Sequence, residues 1–407
     1  MPKQNVPALR LEGFDGEWEE KTIQQISVPV SRVNPNSTAP IMMISSADGF
    51  INQSEKYSSD NAGKSLSKYV ELHQGELAYN HGASKLRPFG SCFELRETAA
   101  RVPFVYHCFR VVEEHPSFTS YSLNRNSVQS QLERLVSSGA RMDGLLNISF
   151  PQYGTVTTHF PTFEEQQAIG AIFTNLDAAI NQHTLKHKAL QQSKTALMQR
   201  MFPQEGQTAP ELRLEGFSGE WEEKRLVDEV SFFSGLTYTP SDVVEHDGTL
   251  VLRSSNVQDG VIATKDCVYV RTDAVNVQNV RKNDIIMVVR NGSRSLIGKH
   301  AVVQKPMPST VIGAFMTGIR SDQPWFINAL FDTGLFKYEV DKSMGATINQ
   351  ITGGMFAGMS FFFPPTLEEQ QAIGAIFTKL DALIAAEAQY IKSLSQAQTA
   401  LLQRMFI

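Results

Sequence analysis

One feature constrains this chain before any other: much of it is written twice. Leu9–Lys21 reads LRLEGFDGEWEEK and Leu212–Lys224 reads LRLEGFSGEWEEK, so that only Asp15 against Ser218 differs. Pro161–Phe202 begins PTFEEQQAIGAIFTNLDAAI and ends TALMQRMF, while Pro365–Phe406 begins PTLEEQQAIGAIFTKLDALI and ends TALLQRMF. Between these copies lie two segments, roughly Thr22–Phe160 and Arg225–Pro364, that do not match each other in the same way. A period of this length is a whole domain and not the turn of a solenoid. Drift after a duplication would spread differences evenly, whereas here they concentrate in the inserts. The pattern points to a fixed frame carrying two different readers. Residues 203–211, rich in Pro, Gly, Gln and Thr, read as the linker between the halves.

The chain has 407 residues, 42% hydrophobic and 19% charged, which is enough apolar material for two cores and excludes a disordered or fibrous chain. No run of about 18 apolar residues is present, so no membrane span is expected. Met1–Arg10 lacks the apolar stretch of a secretory signal. The odd set Cys92, Cys108 and Cys267 argues against a disulfide framework and for a reducing, cytoplasmic setting.

The second repeated segment carries helix signals. Thr162 with Glu165, and Thr366 with Glu369, fit a capping box, in which a hydroxyl caps an orphan amide and a carboxylate reaches back. Ile169, Leu176, Leu190 and Leu197 fall at heptad spacing, as do Ile373, Leu380, Leu394 and Leu401, which predicts two coiled-coil helices of roughly 57 Å at about 1.5 Å per residue. The heptad is interrupted at His183 in one copy and at Glu387 in the other. If the helices pair antiparallel, their midpoints meet, and His183 with Glu387 could fix the register. The alternative is that both face solvent at a loosened turn.

The net charge of −5 does not describe a basic nucleic-acid binder as a whole. The acidity belongs to the frame, however, and the inserts are close to neutral with local basic clusters. Residues 281–305 carry Arg281, Lys282, Arg290, Arg294, Lys299 and Lys305 against Asp284 alone. In the second insert an apolar strand, Asp284–Val289, ends in Arg290-Asn291-Gly292-Ser293-Arg294, and Leu250–Leu252 leads into Arg253-Ser254-Ser255-Asn256. Asn-Gly is a turn signal. In the first insert Glu76–Tyr79 leads into Asn80-His81-Gly82-Ala83-Ser84-Lys85, with Arg87 beyond. Arginine can fork onto guanine, asparagine can pair both atoms of the adenine edge, and serine can hold phosphate.

Catalytic signatures are missing. Gly292–Lys299 has the wrong spacing for a phosphate loop, and His300 stands where a hydroxyl is needed. Neither Asn34-Pro35-Asn36 nor Phe363-Pro364-Pro365 is the motif that positions an amino group for methyl transfer. No H-E-x-x-H or other metal cluster is evident, so no metal ligand is assigned. These absences argue against an enzyme.

The order LRLEGF-x-GEWEEK, insert, PT-x-EEQQAIGAIF-x-x-LD, TAL-x-QRMF, followed by the same frame again, resembles the specificity (S) subunit of type I restriction-modification systems. RSSNV, RNGSRSLIGK and GELAYN resemble phrases of that family's target-recognition domains. The resemblance implies an α+β chain: two mixed α/β target-recognition domains separated by two long antiparallel coiled-coil helices, in a pseudo-twofold duplicated architecture. It implies that each recognition domain contacts one half of a bipartite DNA site in the major groove while the helices act as a ruler. It implies a non-catalytic subunit that docks two methyltransferase subunits, which bind S-adenosylmethionine and methylate adenine. Two motor-nuclease subunits using ATP and Mg2+ can join. No cofactor is expected on this chain itself.

The domain reading is therefore 1–160 and 212–364 for the recognition domains, 161–202 and 365–407 for the conserved helices, and 203–211 for the linker. Recognition domains differ between members by design, so candidate DNA contacts rest on residue type and loop position. They are Tyr79, Asn80, Ser84, Lys85 and Arg87 in the first half, and Arg253, Asn256, Arg290, Asn291, Ser293, Arg294 and Lys299 in the second. Two other readings compete: a scaffold that touches no DNA, and an enzyme with a cryptic nuclease or methyltransferase site.

Overall fold

The computed structural model describes residues 5–56, 63–136, 146–204, 206–344 and 349–407; residue 205 of the expected linker lies outside them. The chain divides into two units. The first comprises Met1–His183 with Tyr390–Ile407, and the second comprises Thr184–Gln389.

In the first unit a four-stranded antiparallel sheet runs in the order Ser27–Pro29, His107–Val111, Leu77–Asn80, Ser91–Glu94. After His107–Val111 come the helices Pro116–Leu123, Asn126–Leu135 and Phe150–Tyr153, then the strand Thr157–Phe160 and a long helix beginning at Phe163. The second unit repeats this plan with different residues. Its sheet runs Ser231–Ser234, Met316–Arg320, Ile285–Val288, His300–Val302, again all antiparallel. Helices Pro324–Phe331, Gly334–Ser343 and Gly353–Ala357 and strand Ser360–Phe363 then lead to the second long helix. The two inserts thus share a topology that their sequences do not display. A second sheet in this unit pairs Thr249–Leu252 in parallel with Thr310–Ile312, and the first unit retains a parallel bridge between Ile41 and Arg101 at the corresponding place.

The repeated segments close each unit. Glu19–Thr22 pairs antiparallel with Thr157–Phe160, and Glu222–Arg225 pairs with Ser360–Phe363. In each unit the tryptophan of GEWEEK is buried among aromatic rings: Trp18 against Phe118 and Phe406, Trp221 against Phe202 and Phe326. Each such ring contributes about 1.5–3 kcal/mol on leaving water. The amide of Leu9 donates to the carbonyl of Arg404 at 2.7 Å, and the amide of Leu212 donates to that of Arg200 at 2.8 Å.

The long helices are Phe163–Met201 and Leu367–Arg404, 39 and 38 residues. Thr162 and Thr366 cap them, their hydroxyls accepting from the amides of Glu165 and Glu369 at 3.4 and 3.3 Å. The other half of the expected capping box is not formed. The Glu165 and Glu369 carboxylates instead bind Arg10 and Arg213, stronger partners than an orphan amide because both members of the pair are charged.

Within each unit, parts of the two helices run antiparallel. In the first, Asp177 accepts from Gln398 at 2.6 Å and His183 packs edge-on against Tyr390 with ring centroids 4.5 Å apart. In the second, Lys186 pairs with Glu387, and Lys194 meets Asp381 at 2.7 Å. The glycine of AIGAIF is what lets a neighbouring helix come close. A Cβ on Gly374 would lie 2.8–3.0 Å from Trp325 and Phe326, and one on Gly170 would lie 3.1–3.3 Å from His115 and Phe118. Among the described residues no helix is long and apolar enough to cross a membrane.

Candidate nucleic-acid interface

The loops singled out in the two halves occupy the same place in their sheets. Residues 81–90 connect Leu77–Asn80 to Ser91–Glu94, and residues 289–299 connect Ile285–Val288 to His300–Val302. Each is the hairpin at the end of the four-stranded sheet.

In the second unit the structure brings two separate candidate segments together. The Asn291 amide donates from Nδ2 to Ser254 Oγ at 3.2 Å, joining the Arg253–Asn256 turn to the hairpin. Asn291 Oδ1 accepts from the Ser293 amide at 3.0 Å, an Asx turn that folds the loop back on itself. Ser293 is exposed, with its Oγ 2.9 Å from that of Ser295. Asn349, which the sequence reading did not single out, donates to the Gly292 carbonyl at 3.0 Å and adds a third strand of chain to the cluster.

The four basic candidates divide by what holds them. Arg253 donates to the Asp266 carbonyl and carboxylate at 3.0 and 3.1 Å. Arg294 donates to the Asp341 carbonyl at 3.0 Å, which ties the loop to helix Gly334–Ser343. Lys299 is half-buried at the foot of the hairpin, its carbonyl accepting from the Val288 amide. Arg290 is exposed and lies over the ring of Phe315, 5.1 Å from its centroid, with no carboxylate partner among the described residues.

Asn256 is not placed to read a base. It is fully buried: Oδ1 accepts from the Arg253 amide at 2.9 Å, and Nδ2 donates to the carbonyls of Ala263 and Lys265. Both faces of its amide are spent on the turn, so this residue shapes the loop.

In the first unit Lys85 is exposed at the hairpin tip, and Ser84 accepts from the Arg87 amide at 2.9 Å. Asn80 closes its own turn by accepting from the Gly82 amide at 2.9 Å, and reaches the Ile44 carbonyl at 3.3 Å. Arg87 folds back over Phe93 at 5.1 Å, and burial lowers the pKa of its guanidinium. Tyr79 is a core residue and not a surface contact. It is 1% exposed, stacks on Tyr153 at 4.1 Å and donates to the Phe89 carbonyl at 2.6 Å, and burial pushes its hydroxyl well above the usual tyrosine range. Alternation explains the misreading: in a strand buried on both faces, the residue before a polar end still points inward. Gly90 fits this packing, since a Cβ there would lie 2.6–2.7 Å from the Asn80 carbonyl and the Tyr79 ring.

The register candidates lie on the long helices, His183 against Tyr390 in the first unit and Glu387 with Lys186 in the second. Among the described residues no group of three or more His, Cys, Asp or Glu could hold a metal ion.

The fold is a duplicated mixed α/β frame with one hairpin loop at the same sheet end in each unit. Residues 219–396 match the family described as Type I restriction modification DNA specificity domain. Over 159 residues, 37% of this chain, the sequence is 29% identical to the type I restriction enzyme EcoKI specificity subunit of Escherichia coli (strain K12). The same figures hold for the StySPI specificity subunit of Salmonella potsdam. The match spans 33% of the length of each of these relatives. The whole chain has the fold of the type I restriction-modification S subunit from M. genitalium, with a TM-score of 0.67 at 14% identity and 99% of both chains covered. The family resemblance drawn from the frame motifs is borne out.

Proposed function

We propose that the chain is the DNA-reading subunit of a type I restriction-modification complex. Each recognition domain, 1–160 and 212–364, takes one block of a bipartite double-stranded DNA site. The helices 161–202 and 365–407 pair as an antiparallel coiled coil that sets the gap, with His183 and Glu387 fixing its register under pseudo-twofold symmetry. One observation carries this reading: two inserts of different sequence adopt one sheet order and present a hairpin at the same sheet end, on a frame that is nearly identical in both units. A constant frame with variable tips is what a protein needs to dock the same partner twice while reading two different sequences.

In this reading the chain has no catalytic role. Methylation falls to two methyltransferase subunits carrying S-adenosylmethionine, and ATP- and Mg2+-dependent cleavage to two motor-nuclease subunits where these are present. The acidic frame faces protein, and the basic loops face phosphates and base edges. Adenine methylation mapped across the host genome, with and without the gene, tests the reading. A split motif of two short blocks around an unspecified gap should vanish on deletion. Unchanged methylation in a host shown to express the chain with a methyltransferase partner would leave the scaffold reading in its place.

A further inference from the structure

The two inserts share one feature that neither the frame nor the sheet requires. In each, the short loop entering the strand that pairs with the hairpin strand carries a phenylalanine about half exposed to solvent: Phe104 at 50% and Phe315 at 52%. Each loop is a tight turn, closed by the Tyr106 amide donating to the Pro103 carbonyl at 3.0 Å and the Met316 amide donating to the Gly313 carbonyl at 2.9 Å. Each ring has a cation over it: Lys68 at 5.9 Å from the Phe104 centroid, Arg290 at 5.1 Å from that of Phe315. Phe315 is further fixed to the reading hairpin, because its carbonyl accepts from the amides of both Val289 and Arg290, at 3.0 and 3.1 Å.

Single exposed apolar side chains are ordinary on a protein surface. One exposed ring in the same loop of two inserts that differ in sequence, each beneath a cation, is not accounted for by packing. A cation on the ring face leaves the ring edge available for a further contact. In the major groove, the groups that suit an apolar edge and a neighbouring cation are the thymine 5-methyl and the O6/N7 edge of guanine. Adjacent bases on a strand rise about 3.4 Å, so a cation and ring about 5 Å apart match neighbouring positions.

We propose that Phe315 with Arg290, and Phe104 with Lys68, are paired base-edge contacts of the two recognition domains, the ring taking a thymine methyl and the cation an adjacent guanine. This rests on the DNA-reading function proposed above. Arg253 and Arg294, held by Asp266 and Asp341, then shape the loop, and Arg290 reads.

The test uses the full chain in complex with its methyltransferase partner and duplexes carrying the mapped site. Thymine is replaced by uracil one position at a time, which deletes only the methyl group. In the block assigned to the second unit, one replacement should weaken wild-type binding about fourfold, the worth of one buried methyl. Phe315→Ala should weaken binding to the thymine duplex similarly and lose the thymine–uracil difference. Phe104→Ala should do the same in the other block only. Replacing the adjacent guanine by 7-deazaguanine should weaken the wild type and leave Arg290→Ala unaffected. Phe315→Leu, which keeps an apolar contact, and unchanged thermal midpoints separate contact from folding. A wild type indifferent to uracil throughout, a block without thymine, or a Phe315→Ala complex that keeps the difference would overturn the inference. A wild type that binds all duplexes alike would overturn the DNA-reading function and this inference together, whereas the other failures leave that function standing.

Discussion

Arg10 grips both carboxylate oxygens of Glu165, at 2.9 and 2.7 Å, while its remaining donors reach the Gly16 and Asp15 carbonyls. Arg213 does the same to Glu369, at 2.8 and 2.7 Å, and to the Gly219 and Ser218 carbonyls. One arginine thus locks the two residues after LEGF to the first turn of a long helix, twice in the chain.

The carboxylate at the centre of this lock is buried, with side-chain exposure 0% for Glu165 and 1% for Glu369. Removing its only cation among the described residues strands a charge. Arg10→Ala should cost about 3 kcal/mol or more, and Arg10→Ala with Glu165→Gln should recover part of that loss. Urea titration of the single and double variants measures it, and equal losses in both would disprove the account.

Gly374→Ala should destabilise the second unit by about 1–3 kcal/mol, since the new methyl meets backbone atoms of Trp325 and Phe326 that cannot move aside cheaply. Gly170→Ala, with 3.1 Å as its closest approach, should cost less. Denaturation midpoints of the two variants give the ranking.

Lys194 serves two carboxylates, Asp332 at 2.8 Å and Asp381 at 2.7 Å. At the matching frame position Gln398 serves Asp177 with its amide. Lys194→Gln is therefore expected to be milder than Lys194→Ala, and both effects should be near 1 kcal/mol because the carboxylates are partly exposed. A Gln variant as unstable as the Ala variant would show that charge, and not hydrogen bonding, holds the site.

Burial holds His107 below the usual histidine value of 6.5, against the hydrogen bond its ring donates to the Ile148 carbonyl at 2.8 Å. A group whose folded pKa is depressed contributes stability above its unfolded pKa and loses it as the pH falls through the folded value. The chain should therefore lose stability on acidification below about 6.5, and His107→Gln should flatten that part of the curve. Thermal midpoints between neutral and mildly acidic pH test this, and parallel curves would refute it.

Lys85 is exposed at the first hairpin tip and suits a phosphate. Lys85→Ala should weaken binding of the complex evenly across DNA sequences and reduce the salt slope by about one, with the methylated motif unchanged. A changed motif would instead make it a base reader.

The frame was legible because its signals are local and doubled. Heptad spacing, a threonine cap and the repeat itself announce two long helices, which the structure contains. The strand before each polar hairpin was legible from its apolar run. What stayed hidden depends on contacts between distant segments. Asn256 has the residue type of an adenine reader, and only the fold shows its amide bound to Ala263 and Lys265. Tyr79 adjoins a polar loop, and only sheet pairing shows its ring against Tyr153. Phe104 and Phe315 gave no signal, because a phenylalanine in a turn reads as core until its exposure is known. The carboxylates of Glu165 and Glu369 fitted a helix cap locally, but a long-range arginine outcompeted it.

The joins at Leu9 and Leu212 make the connectivity cyclic in character. Residues 404 and 9 are held together as residues 200 and 212 are, and the short segment 201–211 joins the latter pair. A bridge of the length that spans Arg200 to Leu212 would span Arg404 to Leu9 as well, and the chain could then be opened at 203–211 with the hydrogen bonds at Leu9 and Leu212 both kept. Which insert comes first along the polypeptide is, to this connectivity, an arbitrary choice of starting point.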